Sequence, residues 1–203
     1  MKTGLAIAAF FLAMTGNGFE RKTTETKVEK VALTQTVTLS ELDGNELKSV
    51  AHGLRKKNIA FMSFKVYVGE LLLPMTATWD SKPKTFEDSP LAGIQMTYLR
   101  DVPAKNIAET FQDGLKENKA DLKSAPVQSF LENVRKIGDI KEKESFLIVR
   151  SQKPEGDKLL LLIPGRFNET ISGPAGWTQQ ILKIWTGSPA DKGMTELQKI
   201  LFK

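Results

Sequence analysis

The chain has 203 residues, enough for one domain with a real core, and its 40% hydrophobic and 26% charged residues match a soluble globular protein. It has no cysteine and a single histidine, His52, which excludes disulfides, thiolate catalysis, cysteine-ligated metals, a histidine pair and a cysteine-linked lipoprotein anchor. The formal net charge of +5 is spread along the chain without aromatic interleaving; this speaks against a nucleic-acid platform and leaves a weak pull toward anionic ligands or lipid headgroups.

Lys2 precedes an apolar run at 5–14, LAIAAFFLAM, which ends in small and polar residues. This pattern predicts a signal peptide over 1–18, too short for a comfortable membrane span, and a periplasmic or secreted protein with no stable span once it is removed. Residues 19–27, FERKTTETK, are polar and read as a flexible lead-in to a single domain over 28–203. Apolar alternation predicts a strand over 28–39, a turn at Asp43-Gly44-Asn45 and a return strand over 46–51. Gly53-Leu54-Arg55 reads as a corner, with His52 flanking it. A long strand follows, its apolar face formed by Ala60, Met62, Phe64, Val66 and Val68, and Pro74 ends it.

Residues 75–90 read as a loop, with Trp79 covering an edge of the core, and 93–99 as another strand. Asp101 and Pro103 then predict a helix start. Ile107, Phe111 and Leu115 share one face of that helix, and Phe130, Leu131 and Val134 one face of the next, which Gly138 ends. Strands resume over 145–151 and 158–163 with a turn at 154–157. LLLLI at 159–163 is apolar on both faces and so reads as covered on both sides. A short strand over 168–172 precedes a helix carrying Trp177, Ile181 and Trp185. Gly187 stops it, and a last helix carries Met194, Leu197 and Leu201. Strands, two helices, strands and two helices make an α+β fold, a largely antiparallel sheet with helices on one face.

Gly-Leu-Arg at 53–55, Phe61, Val66-Tyr67, and the Ile181-Leu182, Gly187 and Pro189 pattern resemble the chalcone isomerase-like superfamily. Lys65-Val66-Tyr67-Val68 and Leu99-Arg100-Asp101-Val102 resemble its bacterial secreted branch more closely. The likeness spans residues 30–203 and implies an open-faced β-sandwich. It places Arg55 at the ligand-binding arginine, which holds a carboxylate in fatty-acid-binding members and the flavonoid in the isomerases. A guanidinium suits either oxygen. The isomerases also use a threonine, a tyrosine and an asparagine. The alignment puts Met62 at the threonine position, the tyrosine near Ala104 or Lys105, and the asparagine near Phe111 or Gln112. Tyr98 lies a few residues early and could stand in only with a shift of the backbone, and Thr178 falls at a ligand-wall position.

With the catalytic donors replaced, the expectation is a non-catalytic protein. It binds a small amphiphilic acid through Arg55, Met62, Phe111 and Thr178, with no metal and no cofactor. Two alternatives stand beside it. One is an intramolecular lyase acting on a chalcone or another enone, which needs a hydroxyl donor beside Arg55. The other is a periplasmic interaction or scaffold protein, which needs a filled core there.

Overall fold

Strand order in space repeats strand order in the chain. The computed structural model describes residues 18–42, 44–59 and 61–203. The predicted signal segment, Asp43 and Ala60 therefore lie outside the described residues, apart from Gly18. Eight strands pair antiparallel in one sheet, β1 to β8 in sequence. They are β1 Phe19–Val28, β2 Val31–Leu39, β3 Asn45–Ile59, β4 Met62–Pro74, β5 Leu91–Tyr98, β6 Ser145–Lys153, β7 Gly156–Ile163 and β8 Phe167–Gly173. Five α-helices accompany it among the described residues: α1 Pro83–Asp88, α2 Ala104–Glu117, α3 Ala125–Lys136, α4 Trp177–Thr186 and α5 Lys192–Leu201. The α+β expectation, an antiparallel sheet with helices on one face, is what the chain adopts.

Alternation along the strands divides two cores. On the helix side, Leu71 and Leu73 of β4, Ile94 and Met96 of β5, and Leu159 and Leu161 of β7 pack with Phe130, Ile181 and Leu197. On the other side the sheet curls on itself, and Phe19, Val37 and Leu47 meet Leu147, Val149 and Leu160. β7 is accordingly buried on both faces, as its leucine run predicts.

Three local expectations are corrected. Residues 19–27 are not a loose lead-in but most of β1, paired with β2 from Phe19↔Leu39 to Val28↔Val31. Their polarity hid this. A sheet-edge strand needs few apolar residues, and β1 is anchored by Arg21, whose guanidinium reaches the buried Glu70 carboxylate at 3.4 Å. Glu70 also accepts from the Thr34 amide at 2.7 Å and from Gln95 Nε2 at 3.0 Å. The 75–90 segment contains α1, started by Pro83 in its first turn and pinned by the fully buried Phe86. Asp101 does not cap α2. Asp139 accepts from the Ala104 amide at 3.0 Å, while Asp101 binds the Glu142 amide and Lys141.

Gly53-Leu54-Arg55 is no corner either: it lies inside β3, which runs straight into the β3–β4 hairpin. Glycine at 53 has a packing reason. A Cβ there would sit 2.8 Å from the Leu197 side chain, so its absence lets α5 lie close against β3.

Candidate functional site

The register of three strands builds the site. Arg55 of β3 pairs with Tyr67 of β4, and Tyr67 pairs with Tyr98 of β5. Side chains paired across strands share a face. The guanidinium and the two phenols therefore form one row under the helices, with the tyrosine rings 5.7 Å apart. These are the chain's only tyrosines.

Above this row is a cavity of about 180 Å³. Its inner walls are apolar: Met96 of β5, Ile107 and Phe111 of α2, Ile184 and Trp185 of α4, and Met194 of α5. Its outer lining includes the exposed Lys57, Arg100 and Asp101 and the half-buried Phe64, which mark the mouth. Phe111 stands edge-on to Trp185 at 5.8 Å and to Phe130 at 5.4 Å, so it serves the core and the cavity wall together.

Arg55 is only 4% exposed, and its partners are known. Nη2 donates to Asp191 Oδ2 at 2.6 Å and Nη1 donates to the Lys56 carbonyl. Asp191 is the N-cap of α5 and also accepts from the Met194 amide at 2.9 Å. One carboxylate thus ties the helix start to the arginine of β3. Gly193 permits this approach, because a Cβ there would collide with the Lys56 carbonyl and the Arg55 guanidinium. Two of the five guanidinium N–H groups are engaged in these bonds, and Arg55 is among the residues that line the cavity.

The phenols differ in their hydrogen bonds. Tyr67 accepts from Trp185 Nε1 at 3.3 Å. Tyr98, 4% exposed, has no hydrogen-bond partner for its hydroxyl among the described residues. Burial pushes the Tyr67 phenol above its ordinary range, against the opposing pull of Arg55 and the Trp185 hydrogen bond. Burial pushes Tyr98 up as well, helped by Tyr67. Both remain neutral O–H donors at physiological pH. The site therefore offers a paired guanidinium and two phenolic donors at one end of an apolar hollow. An oxygen with lone pairs, on an acid or a carbonyl, is its chemical complement.

Of the residues singled out from sequence, Arg55 and Phe111 line the cavity, while Met62 and Thr178 do not. Met62 sits opposite Ile59 at the hairpin end and is 62% exposed. Met62 lies two residues beyond Phe64 toward the hairpin tip, past the cavity mouth; on the cavity side of Phe64 a β-bulge intervenes, with Val66 the extra residue between Arg55↔Tyr67 and Lys56↔Lys65. The period of two breaks there. Val66 and Tyr67 both line the cavity, whereas Val68 faces the other side of the sheet with Glu70 and Leu72. The residue that sits across from Arg55 is thus Tyr67. Thr178 is fully buried at the start of α4, where its hydroxyl donates to Asp157 Oδ2 at 2.6 Å. It stands two helical turns, about 10 Å, from Trp185. Tyr98 needs no backbone shift to reach the site, since its strand register places it there. Tyr67, Trp185 and Asp191 were missed. Counting back from Ile59↔Met62 would have set residue 55 opposite Val66, one short of Tyr67, because the bulge leaves no sign in the sequence, and no signal brings Asp191 to Arg55 from 136 positions away.

A curled antiparallel meander with helices on one face, and a cavity between them, is an open-faced β-sandwich. The family model described as chalcone isomerase-like matches residues 25–197, and the chain belongs to that family. No curated protein matches the sequence. Among solved structures, a fatty-acid binding protein of Arabidopsis thaliana is similar, with a TM-score of 0.50 at 13% identity, over 82% of this chain and 97% of that one. At that identity the likeness is one of fold.

Proposed function

We propose that this protein binds a small amphiphilic acid in the cavity, without turning it over. The observation that carries this reading is the Tyr98 hydroxyl: a donor on a cavity-lining residue, with no protein partner among the described residues, beside Tyr67 and Arg55 in an apolar hollow. On the cavity lining, such a donor is free to be completed by a ligand or by water. The fold is shared with a protein named for fatty-acid binding, which is in keeping with such a ligand. Size narrows the class. A dry cavity of roughly 150 Å³ accepts a benzene ring, and this one holds about 180 Å³. It suits a short or single-ring acid, or the head of a longer chain whose tail leaves past Phe64. In keeping with the secreted branch of the family, the site works outside the cytoplasm, after removal of the apolar segment at 5–14.

Native mass spectrometry followed by organic extraction tests the reading, with titration calorimetry of an extracted acid against its matched primary alcohol. Binding of the acid at least roughly tenfold tighter than the alcohol is expected, since a hydrogen bond to a charged group is the stronger kind. Equal affinities would remove the acid from the proposal.

One observation favours a second reading. The enone isomerase alternative requires a hydroxyl donor beside Arg55, and the structure has two. Phenols aimed at a developing enolate oxygen are oxyanion stabilisers. Loss of chalcone absorbance on incubation with the protein would support that reading. The cavity itself argues against the filled-core scaffold alternative.

A further inference from the structure

The end of the β3–β4 hairpin is unlike the rest of the surface. Phe61 is fully exposed at 105% and its neighbour Met62 at 62%. A lone exposed apolar side chain is ordinary, but two large ones side by side at an apex form a small apolar cap. The cap extends beyond the body of the protein: Phe61 lies three residues past Phe64, roughly 10 Å at strand rise, and Phe64 lies at the cavity mouth.

The charges around this finger are of one sign. Lys57 pairs with Phe64 across the hairpin, and Arg100 lies over the Phe64 ring at 5.1 Å. Lys56 is next to Lys57. The nearby acids are already neutralised, Glu29 by Lys65 at 2.7 Å and Asp101 by Lys141 at 3.2 Å. Lys56, Lys57 and Arg100 make no ion pair among the described residues. An apolar tip with a basic collar is the pattern that docks at an anionic lipid interface. There, apolar side chains sink about 5–10 Å into the headgroup boundary while cations meet the lipid phosphates. No helix among the described residues is long and apolar enough to cross a membrane, so such docking would be peripheral.

We propose that the β3–β4 hairpin is a membrane-docking finger. It seats Phe61 and Met62 in the surface of an anionic bilayer and holds the cavity mouth, at Lys57, Phe64 and Arg100, against the headgroups. An amphiphile would then pass between bilayer and cavity without crossing bulk water. The docking step does not depend on the acid-binding reading, because vesicle binding is measured with no acid present and acid affinity with no vesicles.

Cosedimentation decides it. The full-length mature protein is spun with vesicles of mixed phosphatidylglycerol and phosphatidylcholine, and separately with phosphatidylcholine alone. Pelleting with the anionic vesicles, weakening as salt rises, is expected. The F61S/M62S variant, with an unchanged melting temperature, should partition at least roughly tenfold less, since burying one such side chain accounts for that factor. K57E should lose roughly fivefold or more, the weight of one cation near an anionic surface. Three results would overturn the proposal: wild-type protein remaining in the supernatant at low salt; F61S/M62S pelleting like wild type; or a Phe61-dependent dimer in sedimentation velocity without vesicle binding, which would mean that a second copy covers the tip.

Discussion

Replacing Tyr98 by Phe should make the protein more stable and a poorer binder, an opposition of signs that a purely structural tyrosine does not produce. The change removes one oxygen and keeps the ring that packs against Tyr67. Tyr98 as a whole is 4% exposed, and its hydroxyl, on a residue that lines the cavity, bonds to no protein group among the described residues. An unsatisfied buried polar group costs about 1–3 kcal/mol, and the cavity lets water relieve part of this, so a gain of about 0.5–1 kcal/mol is expected. In a chain of this size that raises Tm by about 1–4 °C. With an acid bound, the same hydroxyl donates to a carboxylate, a contact worth about 1.5–3 kcal/mol. Y98F should therefore weaken acid binding roughly 10- to 100-fold. Calorimetric melting of ligand-free protein and isothermal titration with the acid measure the two halves separately. A ligand-free Tm lowered by more than about 2 °C would show that the fold uses the hydroxyl. Unchanged affinity would show that the ligand does not. Either result refutes the reasoning.

Arg55→Ala should cost both functions at once. Acid affinity falls by at least roughly tenfold, and stability drops by about 1–3 kcal/mol, between the values for exposed and buried broken pairs, because the Asp191 partner is 43% exposed; a variant as stable as wild type would mean that the β3–α5 tie is unimportant. Asp191→Asn keeps an N-cap side chain but removes the negative charge facing Arg55. Acids should bind at least roughly threefold tighter to it while neutral alcohols do not, and equal changes for both would locate the ligand head elsewhere. The tyrosines predict the alkaline limb. Both folded phenols titrate above their unfolded value of 10.0, so their neutral forms favour the fold, and that contribution is complete below pH 10 and lost as pH rises further. Tyrosinate absorbance should accordingly appear together with unfolding. Reversible titration near pH 10 with the fold intact would show that the phenols are open to solvent.

The order of elements was legible because most of the chain obeys its periodicities. Leu159 to Ile163 signals burial on both faces, and Ile107, Phe111 and Leu115 mark the helix that roofs the cavity. The failures share a physical cause, which is that contacts distant in sequence decided them. β1 reads as a tail because what holds it is Arg21 reaching Glu70, 49 positions away. Asp101 looks like a cap because the actual one, Asp139, is 35 positions distant. Met62 was placed on the wall by alignment, and the sequence does not show that the hairpin carries it past the cavity mouth; nor does an alternating pattern give any sign of the bulge at Val66. Phe64, Val66 and Val68 scan as one apolar face, yet the extra residue at Val66 sends Val68 to the opposite side and brings Tyr67 to the site.

The pairing of Arg55 with Asp191 changes what the arginine can contribute. A free guanidinium in an apolar hollow would select anions by charge alone. Here the carboxylate 2.6 Å away cancels much of that field and holds the fork in one orientation. Discrimination then falls to directional donors: the remaining guanidinium N–H groups, the Tyr67 hydroxyl fixed by Trp185, and the unpaired Tyr98 hydroxyl. Such a set rewards an oxygen with two well-placed lone pairs and penalises a ligand that leaves a donor empty. This is why the same row of residues accommodates a carboxylate in one reading and an enolate in the other. What separates them is whether the occupant leaves unchanged, since binding needs only donors that fit the ground state, whereas catalysis needs donors that fit the transition state better.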